Sequence, residues 1–216
     1  MKAFALISGG KDSFLSALTS MEQGFFVDAG VTVMPEKDSM MYHVPNASWA
    51  RLTCDLLGIN WIPTDEQNFR KLMEKMAEDG YDSMVAGAIA SNFQKSRLEE
   101  ICTELGLCLY TPIWLLDQRE ILIEIVKRGI RAMIVSVSAE GFSIDDLGRT
   151  IDLPYIEELT ERSRKYSFNI AGEGGEYESF VTGYNGSEIN IIRSEKVWNN
   201  SSGILQIEEA EIRHPV

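Results

Sequence analysis

Residues 3–13 read Ala3-Phe4-Ala5-Leu6-Ile7-Ser8-Gly9-Gly10-Lys11-Asp12-Ser13, and the fold turns on them. Ala3–Ser8 is a short apolar run that ends in glycines, which predicts a buried strand. Asp12–Gln23 follows, with Phe14, Leu15, Leu18 and Met21 on a helical spacing. A strand that passes through Gly-Gly directly into a helix sets the helix N-terminus at the strand's carboxyl end. In a parallel sheet, ligands bind there. Gly9 and Gly10 let the backbone turn tightly and approach an anion with no Cβ in the way. The amides at the helix start point outward as donors, and the helix dipole favours negative charge. Ser8 and Ser13 add hydroxyls, and Lys11 adds a point charge. A tight turn capped by Asp12 or Ser13 would by itself account for the two glycines. With the serines and the lysine, the six residues Ser8–Ser13 predict an anion site.

Outward from this loop, strands alternate with helices. Phe26–Met34 reads as a strand, Asn46–Leu57 as a helix between Pro45 and Gly58, and Asn60–Pro63 as a short strand. Asn68–Glu78 is helical up to Gly80, Ser83–Ala88 is a strand, Phe93–Leu105 a helix closed by Gly106, and Leu107–Thr111 a strand. This alternation predicts an α/β fold with a parallel sheet and right-handed crossovers. After Pro112 the rhythm changes. Gln118–Lys127 is a helix, Ala132–Val137 a strand and Tyr155–Tyr166 a helix. Ser179–Tyr184, Glu188–Trp198 and Ile204–Ile212 are strand-like, with hairpin signals at Asn185-Gly186 and Asn199–Gly203. The expected domains are residues 1–112 and residues 113–216, the second smaller and α+β.

The composition is globular, with 44% hydrophobic and 25% charged residues in 216. No apolar run approaches the roughly 20 residues of a membrane helix, so no membrane association is expected and the cytoplasm is the expected compartment. Cys54, Cys102 and Cys108 show no CxxC pairing and read as reduced thiols. Zinc is not expected, since His43 and His214 are the only histidines and neither sits at metal spacing from a cysteine. The net charge of −13 argues against stable nucleic-acid binding, which needs a basic surface.

The phosphate loop is not a Walker A motif, because Ala5 stands where that motif needs its first glycine and Asp12 where it needs Ser or Thr. Nor is it a GxGxxG fingerprint. It resembles the PP-loop, SGGxDS, of the ATP pyrophosphatases, and that resemblance implies cleavage of ATP between the α- and β-phosphates. Further segments are similar to one branch of that superfamily: His43-Val44-Pro45-Asn46, Gly87-Ala88-Ile89 with Gln94 and Arg97, Asp146-Leu147-Gly148-Arg149, and Gly172-Glu173-Gly174-Gly175-Glu176-Tyr177-Glu178. Together with Ser8–Ser13 they look like the diphthine–ammonia ligase family over nearly the whole chain, and Gly172–Glu178 is the most specific of them. Ser179, Ala171 and Phe93 depart from the commoner Thr, Cys and Tyr of that pattern.

The resemblance implies a HUP-type, Rossmann-like nucleotide-binding domain followed by a smaller substrate-binding domain. It implies that ATP adenylates the carboxylate of diphthine on translation elongation factor 2, that pyrophosphate leaves, and that ammonia displaces AMP to give diphthamide. Catalysis then needs donors and cations where charge builds on the phosphates. Lys11 and the Gly9–Ser13 amides are the candidates, each well-aimed donor worth roughly 3 kcal/mol. Mg²⁺ would bridge phosphate oxygens with Asp12 as its ligand, a role that helix capping by Asp12 would replace. Gly172–Glu178 sets three carboxylates among three glycines, which reads as a loop shaped around a ligand. One of Glu173, Glu176 and Glu178 would deprotonate ammonium and another would face the trimethylammonium group. Tyr177, or one of Trp49, Trp61, Trp114 and Trp198, would offer a cation–π face, with Gly174 and Gly175 lining the substrate.

Gln94 and Arg97 share a helix face near the expected nucleotide, and Gly87 and Ala88 end the strand before it. His43 and Asn46 would contact nucleotide or acceptor, or Asn46 would cap a helix. Asp146 and Arg149 are expected to pair and brace the domain interface. Two readings compete with the ligase: a PP-loop enzyme that modifies tRNA, and a nucleotide sensor without turnover. The sequence leaves the oligomeric state open, a homodimer included.

Overall fold

The computed structural model describes residues 1–34 and 46–215, and within a helix it leaves the side chains of Phe93 and Gln94 undescribed. The chain forms two compact units, Met1–Trp114 and Leu115–Val216.

The first unit is a five-stranded sheet in the order β3-β2-β1-β4-β5, built from β1 (Lys2–Leu6), β2 (Phe26–Met34), β3 (Asn60–Asp65), β4 (Ser83–Val85) and β5 (Cys108–Tyr110). Every pair is parallel, and the register sets Ala5 of β1 beside Gly30 and Val85. Four helices connect the strands: α1 (Lys11–Glu22), α2 (Ala50–Leu57), α3 (Glu66–Glu78) and α4 (Asn92–Glu104). The period of a strand explains why both faces are covered. Ala3, Ala5 and Ile7 join Ala17, Ala50 and Cys54 in one core, while Phe4 between them joins Met73, Met76, Met84 and Cys102 in another. Burying a side chain such as Phe4 or Met84 completely contributes about 2 kcal/mol. This is the expected α/β, Rossmann-like arrangement.

Helix ends follow local chemistry. Asp65 caps α3 by accepting from the Asn68 amide at 2.7 Å, and Gly58 closes α2 at φ 69°. Two boundaries differ from expectation. The helix expected from Asn46 begins as a 3₁₀ turn, Ala47–Trp49, and becomes α-helical at Ala50, with Asn46 in the left-handed region at φ 73°. The strand expected to reach Ala88 ends at Val85: the β4–β5 ladder pairs Ser83–Val85 with Cys108–Tyr110, and its last contact is the Ala86 amide on the Tyr110 carbonyl at 3.0 Å. That shortening frees Ala86–Ala88 as a loop.

The second unit begins with α5 (Gln118–Lys127), β6 (Arg131–Val137) and α6 (Leu153–Tyr166). It continues with β7 (Tyr177–Tyr184), β8 (Ser187–Asn199) and β9 (Ser202–Arg213). The four strands are antiparallel and close into a barrel through β6 and β9. Asn185 and Gly186 turn β7 into β8 with φ values of 50° and 81°, the conformation a two-residue hairpin needs. The second unit is thus α+β.

Candidate active site

In a sheet ordered β3-β2-β1-β4-β5 the connections leave β1 and β4 in opposite directions, so a crevice opens between their carboxyl ends. A cleft of about 300 Å³ lies there. One wall is Ser8, Gly10, Asp12 and Ser13 at the start of α1, a second is Val31–Val33 of β2, and a third is the freed loop Ala86–Ala88.

The Ser8–Ser13 loop is held by its own hydrogen bonds. Gly9 takes φ 90°, which glycine adopts without strain. Gly10 occupies the N-cap position and has no side chain of its own with which to cap the helix. The Ser13 hydroxyl donates to the Gly10 carbonyl at 3.0 Å and accepts from the Ser8 amide at 3.3 Å, while the Gly10 amide donates to Oγ of Ser8 at 3.3 Å. The first turn of α1 therefore faces the cleft with its dipole, a favourable setting for an anion. Gly87 sits against this turn: a Cβ there would stand 2.7 Å from the Ser13 nitrogen. Across the cleft, the Thr32 hydroxyl donates to the Ile7 carbonyl at 2.7 Å and accepts from Nε1 of Trp61 at 2.9 Å, which ties β2 to β1 and β3.

Lys11, the expected point charge of the loop, is buried. Its side chain is only 3% exposed, and Nζ lies 2.8 Å from Oδ2 of Asp12. Asp12 is the half-buried partner on the cleft wall, and its carboxylate partly neutralises the lysine charge.

The other expected residues of this unit divide. Ala88 lines the cleft beside Gly87, and Leu98 of α4 also lines it. Gln94 and Arg97 lie on α4, and Arg97 is exposed. The Gln94 side chain and the whole of His43 lie outside the described residues. Asn46 makes no capping hydrogen bond, so the helix cap expected of it is replaced by the left-handed turn, and its neighbour Ala47 lines the cleft. Trp114 is engaged by Lys95, whose Nζ lies 4.8 Å from its ring. Sequence reasoning passed over Val31–Val33, since a strand shows no sign of which of its residues will stand at a cleft.

In the second unit, Gly172–Glu176 is a turn that leads into β7, whose first residues are Tyr177 and Glu178, with Gly172 and Gly175 at φ 78° and 81°. A Cβ on Gly172 would meet the Tyr177 carbonyl oxygen at 2.7 Å. Glu176 organises the turn. Its Oε1 accepts from the amide and the side-chain nitrogen of Asn169, each at 2.8 Å, and its Oε2 accepts from the Gly174 amide at 2.7 Å. Ser138 donates to the Gly175 carbonyl at 2.5 Å, and Gln118 of α5 accepts from the Ala171 amide at 3.0 Å. Glu173 is half-buried in this turn and Glu178 is half-buried at the start of β7, while Gly174 and Gly175 are exposed at the tip of the turn. Tyr177 departs from its expected role: it is 2% exposed, its hydroxyl donates to the Ile170 carbonyl at 2.8 Å, and its ring packs on Phe142 at 5.8 Å. It is a base for the turn and not a surface for a cation. Trp198 likewise donates to its own hairpin, at the Asn200 carbonyl. Gln118, Asn169 and Ser138 were not singled out from the sequence, because their partners are distant in it.

Asp146 is a brace inside the second unit. At 1% exposure its carboxylate accepts from Tyr155 Oη at 2.9 Å, from Arg162 at 2.7 Å and from the Ser143 amide at 2.8 Å. Arg149 is 4.0 Å away and pairs more closely with Glu158, at 2.8 Å, so the pair expected between Asp146 and Arg149 is the weaker contact. Burial, with the adjacent Asp146 carboxylate, pushes the Tyr155 phenol well above its ordinary value. Burial pushes the Cys54 thiol up to about 12 and the Cys102 thiol up to about 11, which leaves both inert.

Two family descriptions cover the chain: the diphthamide synthase N-terminal domain matches residues 1–109, and the diphthamide synthase C-terminal domain matches residues 117–212. A diphthine–ammonia ligase of Danio rerio is 31% identical over 212 residues, covering 84% of this chain and 82% of its own. That of Homo sapiens is also 31% identical, covering 84% and 78%. Among solved structures, a predicted subunit of tRNA methyltransferase from Methanocaldococcus jannaschii is similar at 16% identity and a TM-score of 0.47, covering 86% of this chain and 98% of its own. Two matched domains in the same order as the two folded units, and relatives aligned over most of both chains, lead to one conclusion: this chain belongs to the diphthine–ammonia ligase family of enzymes.

Proposed function

We propose that this enzyme joins ammonia to the carboxylate of diphthine on translation elongation factor 2, by way of an adenylate, with AMP and pyrophosphate as products. The observation that carries the reading is the cleft at the β1–β4 switch point, where the start of α1 meets Ser8, Ser13 and the Gly87 loop. A cleft open to a helix N-terminus favours phosphate.

In this reading residues 1–112 bind the nucleotide and residues 113–216 the acceptor. Ser8, Gly9, Gly10 and Ser13 hold the β- and γ-phosphates, which leave as pyrophosphate when the acceptor carboxylate attacks the α-phosphorus. Lys11 and the first-turn amides of α1 stabilise the charge that builds on the leaving group. Gly87 and Ala88 set the wall of the nucleotide site, Gln94 and Arg97 are assigned to the nucleotide, and His43 and Asn46 are assigned to nucleotide or acceptor by the family resemblance. Asp12 presents a hard carboxylate on the cleft wall, and that donor fits Mg²⁺, which takes one or two carboxylates and otherwise phosphate oxygens. Bound there, the ion would draw charge from the phosphates. In the second unit Glu173 and Glu178 accept a proton from ammonium or face the cationic acceptor, with Gly174 and Gly175 giving access.

The test is a purified reaction with ATP, ammonium and diphthine-bearing elongation factor 2. The reading expects AMP, pyrophosphate and a mass change of the factor equal to conversion of an acid to an amide. Formation of ADP, or a factor of unchanged mass beside active turnover, contradicts it.

A further inference from the structure

We infer that Glu176 is a positioning residue of the acidic turn, acting as one device with Asn169 and Gln118. Its activity consequence rests on the ligase reading above, and its structural consequence does not.

A carboxylate offers about four acceptor sites on its two oxygens. Glu176 has three of them taken at 2.7–2.8 Å, two by backbone amides. Those bonds join both ends of the turn, since Asn169 precedes it and Gly174 stands at its tip. The device extends to α5: Nε2 of Gln118 donates to Oδ1 of Asn169 at 3.3 Å, and Oε1 of Gln118 accepts from the Ala171 amide at 3.0 Å. From the other side, the Ser138 amide donates to the Glu176 carbonyl at 2.9 Å. The side chain aims into its own turn. A group that takes a proton from a substrate must present a lone pair to that substrate. Glu176 presents its lone pairs to the protein. It sets the path of the backbone on either side and so the places of Glu173 and Glu178. Gln118, outside the acidic motif, belongs to the same device because it orients the Asn169 amide that Glu176 receives.

The experiment is residue-resolved amide hydrogen exchange on the full chain, paired with turnover of Glu176→Gln, Glu176→Ala and Gln118→Ala. Glutamine keeps one oxygen for the Asn169 donors but turns an NH₂ toward the Gly174 amide. Glu176→Gln should therefore speed Gly174 exchange by at least about tenfold and leave Asn169 protected, whereas Glu176→Ala speeds both. Turnover should fall in the order wild type, Glu176→Gln, Glu176→Ala, with kcat affected and the KM for ATP unchanged. Gln118→Ala should expose the Ala171 amide, and its effect on turnover should be less than additive with Glu176→Ala. Fast exchange of both Asn169 and Gly174 in the wild-type chain overturns the inference. So does a Glu176→Gln enzyme as inactive as Glu176→Ala with both amides still protected, which is the signature of a proton-transferring carboxylate. Should the diphthine reaction itself not occur, the exchange pattern still decides the role of Glu176.

Discussion

Gly87 and Ser13 approach so closely that a Cβ on Gly87 would lie 2.7 Å from the Ser13 nitrogen and 2.8 Å from the Asp12 carbonyl carbon. The obstruction is backbone, which cannot swing aside as a side-chain tip can. Gly87→Ala should therefore push the β4 loop off the start of α1, cost about 1–3 kcal/mol of stability and weaken ATP binding by more than about tenfold. Urea unfolding and calorimetric titration with ATP measure the two effects. Unchanged affinity would remove the loop from the nucleotide site.

Asp12→Asn separates the metal role from the structural one. The amide oxygen can still receive the Lys11 ammonium, which lies 2.8 Å from the carboxylate in the native chain. It is a far poorer ligand for Mg²⁺. Folding should be preserved within about 1 kcal/mol, and the Mg²⁺ concentration that half-saturates pyrophosphate release should rise markedly. An unchanged Mg²⁺ dependence would return Asp12 to a purely electrostatic partnership with Lys11.

The Asp146 brace should be a stability element alone. Asp146→Ala leaves the buried Tyr155 hydroxyl without its acceptor and takes one carboxylate from Arg162, which keeps Glu158 and the Gly141 carbonyl, so the change should cost about 1–3 kcal/mol. ATP affinity at temperatures where the variant remains folded should equal that of the native chain. A loss of affinity without a loss of stability would contradict this assignment.

Thiol chemistry tests the core of the first unit. Cys54 and Cys102 are buried and Cys108 is exposed. Alkylation of the folded chain near pH 8 should give one adduct, at Cys108. The sign of the pH effect follows from Cys54, whose thiol ionises near 9.0 when exposed and at about 12 when folded. Between those values the unfolded chain has released a proton that the folded chain retains, so stability falls as pH rises through that window. Mass spectrometry and unfolding at pH 8 and 10 check both statements, and native-state labelling of Cys54 would contradict the first.

The parts of the fold that were legible in the sequence are those carried by local period. The expected strand Phe26–Met34 is β2, and Gln118–Lys127 is α5, because an apolar repeat and flanking stop signals mark each. Ser8, Gly10, Asp12 and Ser13 reach the cleft together because they lie within six residues of one strand-to-helix loop. What the sequence hid depends on partners far along the chain. Gln118 and Asn169 are 51 residues apart, and neither has a local reason to be noticed. Tyr177 reads as a ligand-facing aromatic in an acidic, glycine-rich motif, yet strand alternation turns it inward onto Phe142. Lys11 has the look of a free charge and is instead folded under, onto its neighbour Asp12.

The most direct test of the central claim is the identity of the nucleotide product. With ATP labelled at the α-phosphate, ammonium and the diphthine-bearing factor, label should appear in AMP, in step with pyrophosphate release and with formation of amide on the factor. Label appearing in ADP, or AMP formed with no amide on the factor, would contradict an enzyme that cleaves ATP at the α–β bond to join ammonia to a carboxylate.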